Sequence, residues 1–452
     1  MSEPQAIAEA LRKLRAGDAA GALAAANAIV AAAPFAARGY LVTGLALRVL
    51  ERHGESRAAL ERACALDPRD YAAAFELGVT LELLGDAAAA LPQFERAVTL
   101  RPAFQPARQA LGLNLRQAGR ACVSNGDFAR AAELFAEAAA RLPGDEHLQT
   151  FIFQSELLLG HWDRGWTAYR RARGRPDLPS LATLRGKDVT IVAEQGLGDI
   201  VFFLRFAPVL RAHARALHFA GAERLHSLLG RTGLFASLRA AFDRPADANV
   251  MLLTGDLPEV SRATSEPCPP SLRVAPDPAR LAAWRTKLEA AGPRPWIGVT
   301  WRAGTPHEEL AFGLHKKAPI AQLLGALKPA GGTIVALQRH RDEGELDIAS
   351  QAFGDKVHDF SRINDDLEDA LAIVSLLDRH VGVSNTNVHL AAAAGETADV
   401  LVPFPPEWRW GLGGESPWFP GFRIHRQWSG GDWSQALASL EASATRGNTS
   451  RA

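Results

Sequence analysis

The stretch PRDYAAAFELGVTLELLGDAAAALPQFERAVTLRP, residues 68–102, is one complete period of the N-terminal half of the chain. It runs from Pro68 to Pro102, and Pro34 lies the same 34 residues before Pro68. Small residues keep this interval as well: Gly44, Gly78 and Gly112, and then Ala63 and Ala97. Because proline stops a helix and small residues let two helices approach closely, each period is predicted to be a pair of packed helices.

A 34-residue period with these residues is typical of tetratricopeptide repeats. We predict four repeats, the first centred on Gly17-Asp18, with these last residues: Pro34, Pro68, Pro102 and Pro143. The last interval is 41 residues rather than 34. We assign the seven extra residues to two added helical turns between Gly112 and Gly126.

A degenerate fifth pair follows over residues 157–175, which makes the predicted repeat domain 1–175. Its aromatic residues could cap the array and dock it on the next domain: Trp162, Trp166 and Tyr169. Stacked repeats form a superhelix whose concave face suits protein segments, so we expect a protein partner there. The alternative is a surface for homodimer formation, or a spacer.

Overall composition is ordinary for a soluble globular protein of 452 residues, with 47% hydrophobic and 22% charged residues. A formal net charge of zero does not favour nucleic acid or anionic membrane as partner. Three scattered cysteines argue against a disulfide framework or a cysteine zinc site: Cys64, Cys122 and Cys268. Neither a leader peptide nor a transmembrane run is recognisable, so we expect a cytoplasmic protein.

After Arg185, β-branched runs alternate with helical stretches and glycine-rich turns, which indicates βα units with parallel sheets. The predicted strands are 188–193, 216–221, 296–301, 333–337, 356–360, 380–384 and 399–402. We divide this half into two Rossmann-like lobes, 186–290 and 291–445. The tail after Trp433 is predicted to be helical and could cross back to the first lobe. The fold class is therefore α plus α/β, a helical superhelix followed by two lobes that enclose a cleft.

Several segments of this half, in their order and spacing, resemble tetratricopeptide-fused glycosyltransferases of the heptosyltransferase-like type. They are EQGLGD (194–199), IGVTWRAGT (297–305), VGVSNTNVHLAAAAG (381–395), VLVPFPPEWRW (400–410) and SPWFPGFRIHRQ (416–427). The resemblance implies the two-lobed GT-B fold and transfer of a sugar from a nucleoside-diphosphate donor without a metal. In repeat-fused relatives the acceptor is often a protein, including flagellin in some bacteria.

The turn after the first strand of the α/β half is the first candidate site. Gly196 and Gly198 let the backbone approach a ligand at a helix N-terminus. The resemblance implies that Asp199 is the general base that takes the acceptor's proton. Asp199 is also a good helix cap, which is the structural alternative. Glu194 is the competing base.

The second candidate site is the strand-to-helix junction at 384–389, where backbone N–H groups and the helix dipole can hold a diphosphate. Its residues are Ser384, Asn385, Thr386, Asn387 and His389. The alternative is capping by Ser384 or Asn385 together with a histidine buried in the core. The resembling family commonly has aspartate where this chain has Asn385, a departure that could alter donor choice or mark a subgroup with its own acceptor, and that also bears on whether the protein is active.

A third group is basic and polar. Arg302 follows a strand end and Lys316-Lys317 precede a helix, and the resemblance implies that this region supplies cations to the leaving diphosphate. Gln338 and Arg339, at another strand end, could contact the base or ribose. Solvated surface residues are the alternative for each of these.

Trp408 and Trp410 are expected more in the core or between the lobes than stacked on a ligand. The histidines are scattered without ligand spacing, so no metal is expected. We therefore expect an inverting, metal-independent transferase with a sugar nucleotide as co-substrate and no other cofactor. Two alternatives stay open: a non-catalytic scaffold with a degenerate transferase fold, and transfer to a lipid-linked or polysaccharide acceptor.

Overall fold

A computed structural model of the chain describes residues 2–240, 249–261, 268–303 and 316–449. It divides into two compact units, Met1–Leu148 and Gln149–Ala452. Within the described ranges, none of the helices combines the length and the apolar character that crossing a membrane requires.

The first unit is made of antiparallel helix pairs. Its helices are α1 (Glu3–Arg15), α2 (Ala19–Ala32), α3 (Ala37–Val49), α4 (His53–Leu66), α5 (Tyr71–Leu83), α6 (Ala87–Leu100), α7 (Gln105–Ser124) and α8 (Phe128–Arg141). Helix α9 (Glu146–Leu158) crosses into the second unit, where α10 (Trp162–Ala172) completes the fifth pair. The predicted repeat pairs are thus all helical, but the fifth pair begins at Glu146 rather than at Leu157.

Glycine sets the distance between the helices of a pair, as the sequence predicted. A Cβ on Gly44 of α3 would lie 2.5 Å from Leu60 of α4, and one on Gly78 of α5 would lie 2.6 Å from Phe94 of α6. Ala97 packs against alanines of the preceding and following helices, in a buried cluster of Ala74, Ala97 and Ala107. Small residues at these places are therefore required by the packing.

Helix α7 contains the seven extra residues, because it is 20 residues long where α5 has 13. The added helical turns are confirmed. Gly119 is the glycine of α7 that lies against Phe135 of α8. A Cβ added to Gly119 would come within 2.7 Å of Phe135. Gly112 instead lies against Leu142, where its Cβ would be 2.5 Å away.

The smaller sheet of the second unit has four parallel strands in the order β3-β2-β1-β4. The strands are β1 (Asp188–Val192), β2 (Ala216–Ala220), β3 (Ser237–Arg239) and β4 (Val250–Leu253). The helices that belong with it are α11 (Leu197–Phe203), α12 (Ala207–Arg211), α13 (His226–Gly230) and α14 (Leu257–Ser261).

The larger sheet has six parallel strands in the order β10-β9-β8-β5-β6-β7. Its strands are β5 (Trp296–Thr300), β6 (Thr333–Ala336), β7 (Val357–Asp359), β8 (Arg379–Val383), β9 (Asp399–Val402) and β10 (Arg423–Arg426). The helices are α15 (Pro278–Ala291), α16 (Ile320–Leu327), α17 (Glu345–Phe353), α18 (Leu367–Val374), α19 (Thr386–Ala394) and α20 (Ser434–Thr449). Counted from β5, this is the doubly wound order 3-2-1-4-5-6, in which ligands bind at the carboxyl ends where the order reverses, here between β5 and β8.

Two expectations about boundaries need correction. The predicted repeat domain 1–175 divides at residue 148, because α10 packs within the second unit through Trp166 and Tyr169, whose rings lie 6.3 and 6.0 Å from that of Phe203. The C-terminal helix does not cross back to the first lobe. Its Leu437 and Leu440 are buried in the core of the larger sheet, beside α16.

Candidate functional site

The second candidate site lies at the reversal point of the larger sheet. Strand β8 ends at Val383 and α19 begins at Thr386, so Ser384 and Asn385 form the junction. The Asn385 side chain accepts a hydrogen bond from the backbone N–H of Val388 at 3.2 Å and donates one to Thr300 Oγ1 at 2.8 Å. Asn385 therefore caps α19 and ties it to the end of β5.

The first candidate site faces this junction directly. A Cβ on Gly198 would lie 2.9 Å from His389 and 3.3 Å from the Cα of Thr386. Only a glycine allows this approach of α11 to the first turn of α19. The two sequence motifs, almost two hundred residues apart, thus meet within the second unit.

Four charged side chains continue the site from Asp199 toward the larger sheet. Arg409 donates to Asp199 at 2.5 Å and also to Glu407. Glu407 in turn forms an ion pair with Lys316 at 2.8 Å. The charges alternate in sign, so each buried group has an opposite charge beside it.

Burial alone would favour the neutral forms of Glu407 and Arg409. The opposite charges beside each residue counter this effect. Desolvation works against the Glu407 carboxylate, but Lys316 and Arg409 more than offset it and hold its pKa well below the usual range. Desolvation likewise works against Arg409, while Asp199 and Glu407 raise its pKa above the usual value. Glu407 and Arg409 are therefore ionised at neutral pH.

His389 and Asn387 bring buried polar atoms to the start of α19. Burial, followed by the nearby Arg409 cation, lowers the pKa of His389 well below its usual value, so the ring is neutral. Its Nδ1 has no hydrogen-bond partner among the described residues, and neither has Oδ1 of Asn387. Asn387 donates its amide hydrogen to Asn364 at 3.3 Å. These acceptors have bonding capacity that a ligand or water would satisfy.

An aromatic cluster surrounds the charged group. Phe202 of α11 lies 5.4 Å from Trp408 and 5.3 Å from Trp418, measured between ring centroids. Trp166 of α10 lies 5.3 Å from Trp408 and 6.0 Å from Trp418. Trp408, like Trp410, is buried, and the cluster joins α10, α11 and the segment after β9.

Three predicted site residues are engaged in other contacts. The Glu194 carboxylate accepts from the N–H of Thr254 at 3.0 Å and of Gly255 at 3.1 Å, which caps the turn after β4. The Arg302 side chain bonds Glu345, at the start of α17. Gln338 is buried and accepts from the N–H groups of both Trp301 and Arg302 at 2.9 Å.

Arg409 and Glu407 had no assigned role in the sequence. The available signal was the alternation Glu407-Trp408-Arg409-Trp410, which places two charges inside an aromatic segment. Arg205 is a second buried cation near the cluster and was not anticipated. Its guanidinium donates to the carbonyl of Trp418 at 2.8 Å, and burial lowers its pKa to about 9.

No grouping of three or more His, Cys, Asp or Glu side chains that could hold a metal ion occurs in the described parts of the chain. The site described above therefore consists of an ion-paired carboxylate, cations and a helix N-terminus. Such a group can bind an anion and position a carboxylate beside it.

A family model for the tetratricopeptide repeat matches residues 7–70 and 50–103. The N-terminal region consists of tetratricopeptide repeats. Such repeats suggest a role in protein–protein interaction. Protein FlbA of Caulobacter vibrioides is 29% identical to this chain over an alignment of 429 positions, which covers 87% of this chain and 70% of that protein.

Similar solved structures include YrrB, a TPR protein with an unusual peptide-binding site. It is 21% identical, with 37% of this chain and 84% of that one covered and a TM-score of 0.30. The MamA protein is 20% identical, with 38% of this chain and 90% of that one covered and a TM-score of 0.30.

Proposed function

We propose that the second unit is a glycosyltransferase of the GT-B type that moves a sugar from a nucleoside-diphosphate donor to an acceptor. The observation that carries the proposal is the convergence of separate segments: Asp199, Lys316 and residues 384–389 meet around Arg409 and Glu407. The sequence motifs had pointed to three of these segments independently. A shared location is what a single reaction centre requires.

The donor's diphosphate would bind at the N-terminus of α19, against the backbone N–H groups there. Lys316, beside Glu407, would counter the charge that develops on the diphosphate as the glycosidic bond breaks. Thr386, Asn387 and His389 would add hydrogen bonds from the first turn of the helix. Lys316 and these groups would supply, without a metal, the charge stabilisation that the leaving diphosphate needs.

Asp199 is the better candidate for the general base. Its side chain is 38% exposed, whereas the Glu194 carboxylate already caps a turn. The acceptor hydroxyl would attack the anomeric carbon, Asp199 would take its proton, and the diphosphate would leave with the bonding electrons. Attack from the side opposite the leaving group would invert the anomeric centre.

The repeats would select the acceptor. We propose that the acceptor is a protein, for example a flagellin. The three cysteines form no disulfide among the described residues, which is in keeping with a reducing compartment, and we propose the cytoplasm. Formation of a homodimer through the repeats is part of the same proposal.

The test is donor turnover by the full chain. Purified protein would be incubated with a panel of sugar nucleotides and with cell lysate as the acceptor source, and released nucleoside diphosphate would be measured. We expect release with one donor and its loss in Asp199→Asn. The matched control is Asp188→Asn, which changes a partly buried aspartate paired with the exposed Arg215 and should leave turnover unchanged. If no donor releases nucleoside diphosphate, the proposed transferase activity is refuted.

One observation favours a second candidate, a scaffold that binds partners without catalysis. Asn385 takes the place of an aspartate in the resembling family and is already committed to capping α19 and bonding Thr300. If the wild type releases no diphosphate while its repeats still retain a defined protein partner, the scaffold is the better account.

A further inference from the structure

A groove on the larger sheet lies apart from the residues discussed so far. It follows the edge strand β7 and is covered on one side by α15. Its cavity volume is about 670 Å³, within the range of small-molecule sites. Lys356, just before β7, and Arg362, beyond its end, lie along it. None of the predicted site residues lines it.

Two aromatic rings form the apolar wall of the groove. Trp284 of α15 is 8% exposed, and its ring lies 5.5 Å from that of Phe360, centroid to centroid. Lys287 Nζ lies 3.9 Å from the centre of the Trp284 ring, a cation–π contact. A planar group of a ligand would find apolar surface here.

The charge of the groove is positive because its carboxylates are already neutralised. Asp359 pairs with Arg341 at 2.6 Å, and Asp369 pairs with Arg280 at 2.7 Å. Neither arginine lines the groove.

The cations of the groove lack such partners. Within the described ranges Lys287, Lys356 and Arg362 form no ion pair with a carboxylate, although all three are exposed at the rim. His358 adds no charge at neutral pH, because burial and the nearby Lys356 lower its pKa. Three uncompensated cations beside an aromatic wall complement an anion that carries a ring.

The geometry points to a second ligand site in this groove, one that takes a nucleoside monophosphate or a similarly small organic anion with a planar ring. The ring lies along the wall of Trp284 and Phe360, and the anionic group lies between Lys356 and Arg362. This site is independent of the proposed transferase reaction, since it shares no residue with it.

Isothermal titration of the full chain with AMP tests the site, with adenosine and inorganic phosphate as the two partial probes. We expect AMP to bind more tightly than either partial probe. The double charge reversal Lys356→Glu with Arg362→Glu is expected to weaken AMP binding by about tenfold or more. Both residues are exposed, so these changes should not disturb folding.

The matched control is Arg285→Glu, which reverses an exposed charge on the same helix at a position that does not line the groove. It should leave AMP affinity almost unchanged. A Lys316→Glu variant separates the groove from the proposed donor site. AMP binding that disappears in Lys316→Glu but survives the double reversal would overturn the inference, as would equal affinity for AMP and inorganic phosphate or for AMP and adenosine.

Discussion

Arg409 carries more of the site's electrostatics than any other residue. Its guanidinium lies 4.6 Å from the centre of the Phe202 ring and 4.5 Å from that of Trp408. From this position it bonds a carboxylate contributed by α11 and another from the segment after β9. The two lobes of the second unit are therefore joined at a charge that is largely buried.

Replacement of Arg409 by methionine keeps the length and removes the charge. We expect Arg409→Met to lower the free energy of unfolding of the second unit by about 3–5 kcal/mol, because Glu407 stays buried with Lys316 as its remaining partner. Urea denaturation followed by fluorescence measures this. Arg215→Met, which breaks the exposed pair with Asp188, should change stability little, and equal losses in the two variants would contradict the assignment.

His380 should make the protein sensitive to mild acid. Burial lowers its pKa to about 4, with Asp399 acting in the opposite direction, and neither ring nitrogen has a partner among the described residues. The folded value is below the unfolded one of about 6.5, so stability present above pH 6.5 is lost as the pH falls toward 4. The loss between pH 7 and pH 5 is about 2 kcal/mol.

Denaturation midpoints at pH 7 and pH 5 would measure this loss. His380→Leu should show a smaller drop than the wild type, whereas His147→Gln, at an exposed histidine of α9, should show the same drop as the wild type. An unchanged drop in His380→Leu would rule out this histidine as the cause.

The segments of the candidate site could be predicted from the sequence, but the hydrogen bonds and ion pairs between them could not. Asp199 and residues 384–389 were predicted, because glycine-rich and polar junctions after buried strands have a local pattern. The partner of Asp199 comes from 210 positions further along the chain, and no local pattern encodes that distance. The commitment of Gln338 to two backbone N–H groups is likewise a product of tertiary packing.

At the scale of elements, the turn inside each helix pair has one recurring conformation. The second residue after the first helix of each pair has a positive φ: Gly17 (83°), Glu51 (62°), Gly85 (79°), Gly126 (82°) and Gly160 (81°). Glu51 is the only one of these five residues that is not glycine. A side chain in this left-handed conformation costs about 1 kcal/mol relative to glycine.

We therefore expect Glu51→Gly to stabilise the first unit by about 1 kcal/mol, since the backbone is already in the region that glycine favours. The opposite change, Gly85→Ala, should destabilise it by a similar amount, although an added Cβ there would meet no atom within 4 Å. Thermal unfolding of the full chain followed by circular dichroism would show both shifts. Shifts of the same sign in the two variants would contradict the conformational explanation.

Most of the strands predicted from the sequence are more buried than the strands that were missed, although the short edge strand β7 was also predicted. Strands β5, β6 and β9 are buried along their whole length and read as apolar runs. The missed strands are short and less buried: β3, β4 and β10. Strand β10, Arg-Ile-His-Arg, lies at a sheet edge, where polar residues are tolerated and the apolar pattern is lost.

At the scale of the molecule, the helix pair α9–α10 lies largely in the second unit rather than with the other repeats. Trp162 and Trp166 lie 5.0 and 6.0 Å from Trp418, centroid to centroid. Arg170 and Arg175 of the same region pair with Glu259 and Asp256 beside the smaller sheet. These contacts explain why the division falls within α9 and not after α10.

Two truncated chains would test this division. A chain that starts at Asp145 keeps α9 whole and should fold, with a cooperative thermal transition. A chain that starts at Pro176, near the boundary expected from sequence, loses the tryptophans of α10 and should unfold several degrees lower or aggregate, because the rings of Phe203 and Trp408 become exposed. Equal melting temperatures would show that α10 contributes nothing to this unit.

The lengthened helix α7 has a consequence for how such an array can change over evolutionary time. Seven residues turn an α-helix to within about 20° of two full revolutions. A seven-residue insertion therefore leaves every later side chain on nearly the same face of the helix. Gly112 and Gly119, both turned toward neighbouring side chains, are spaced by that step. An insertion or deletion of seven residues in this helix thus preserves its packing face, whereas a change of two or five residues would turn the glycine away from Phe135.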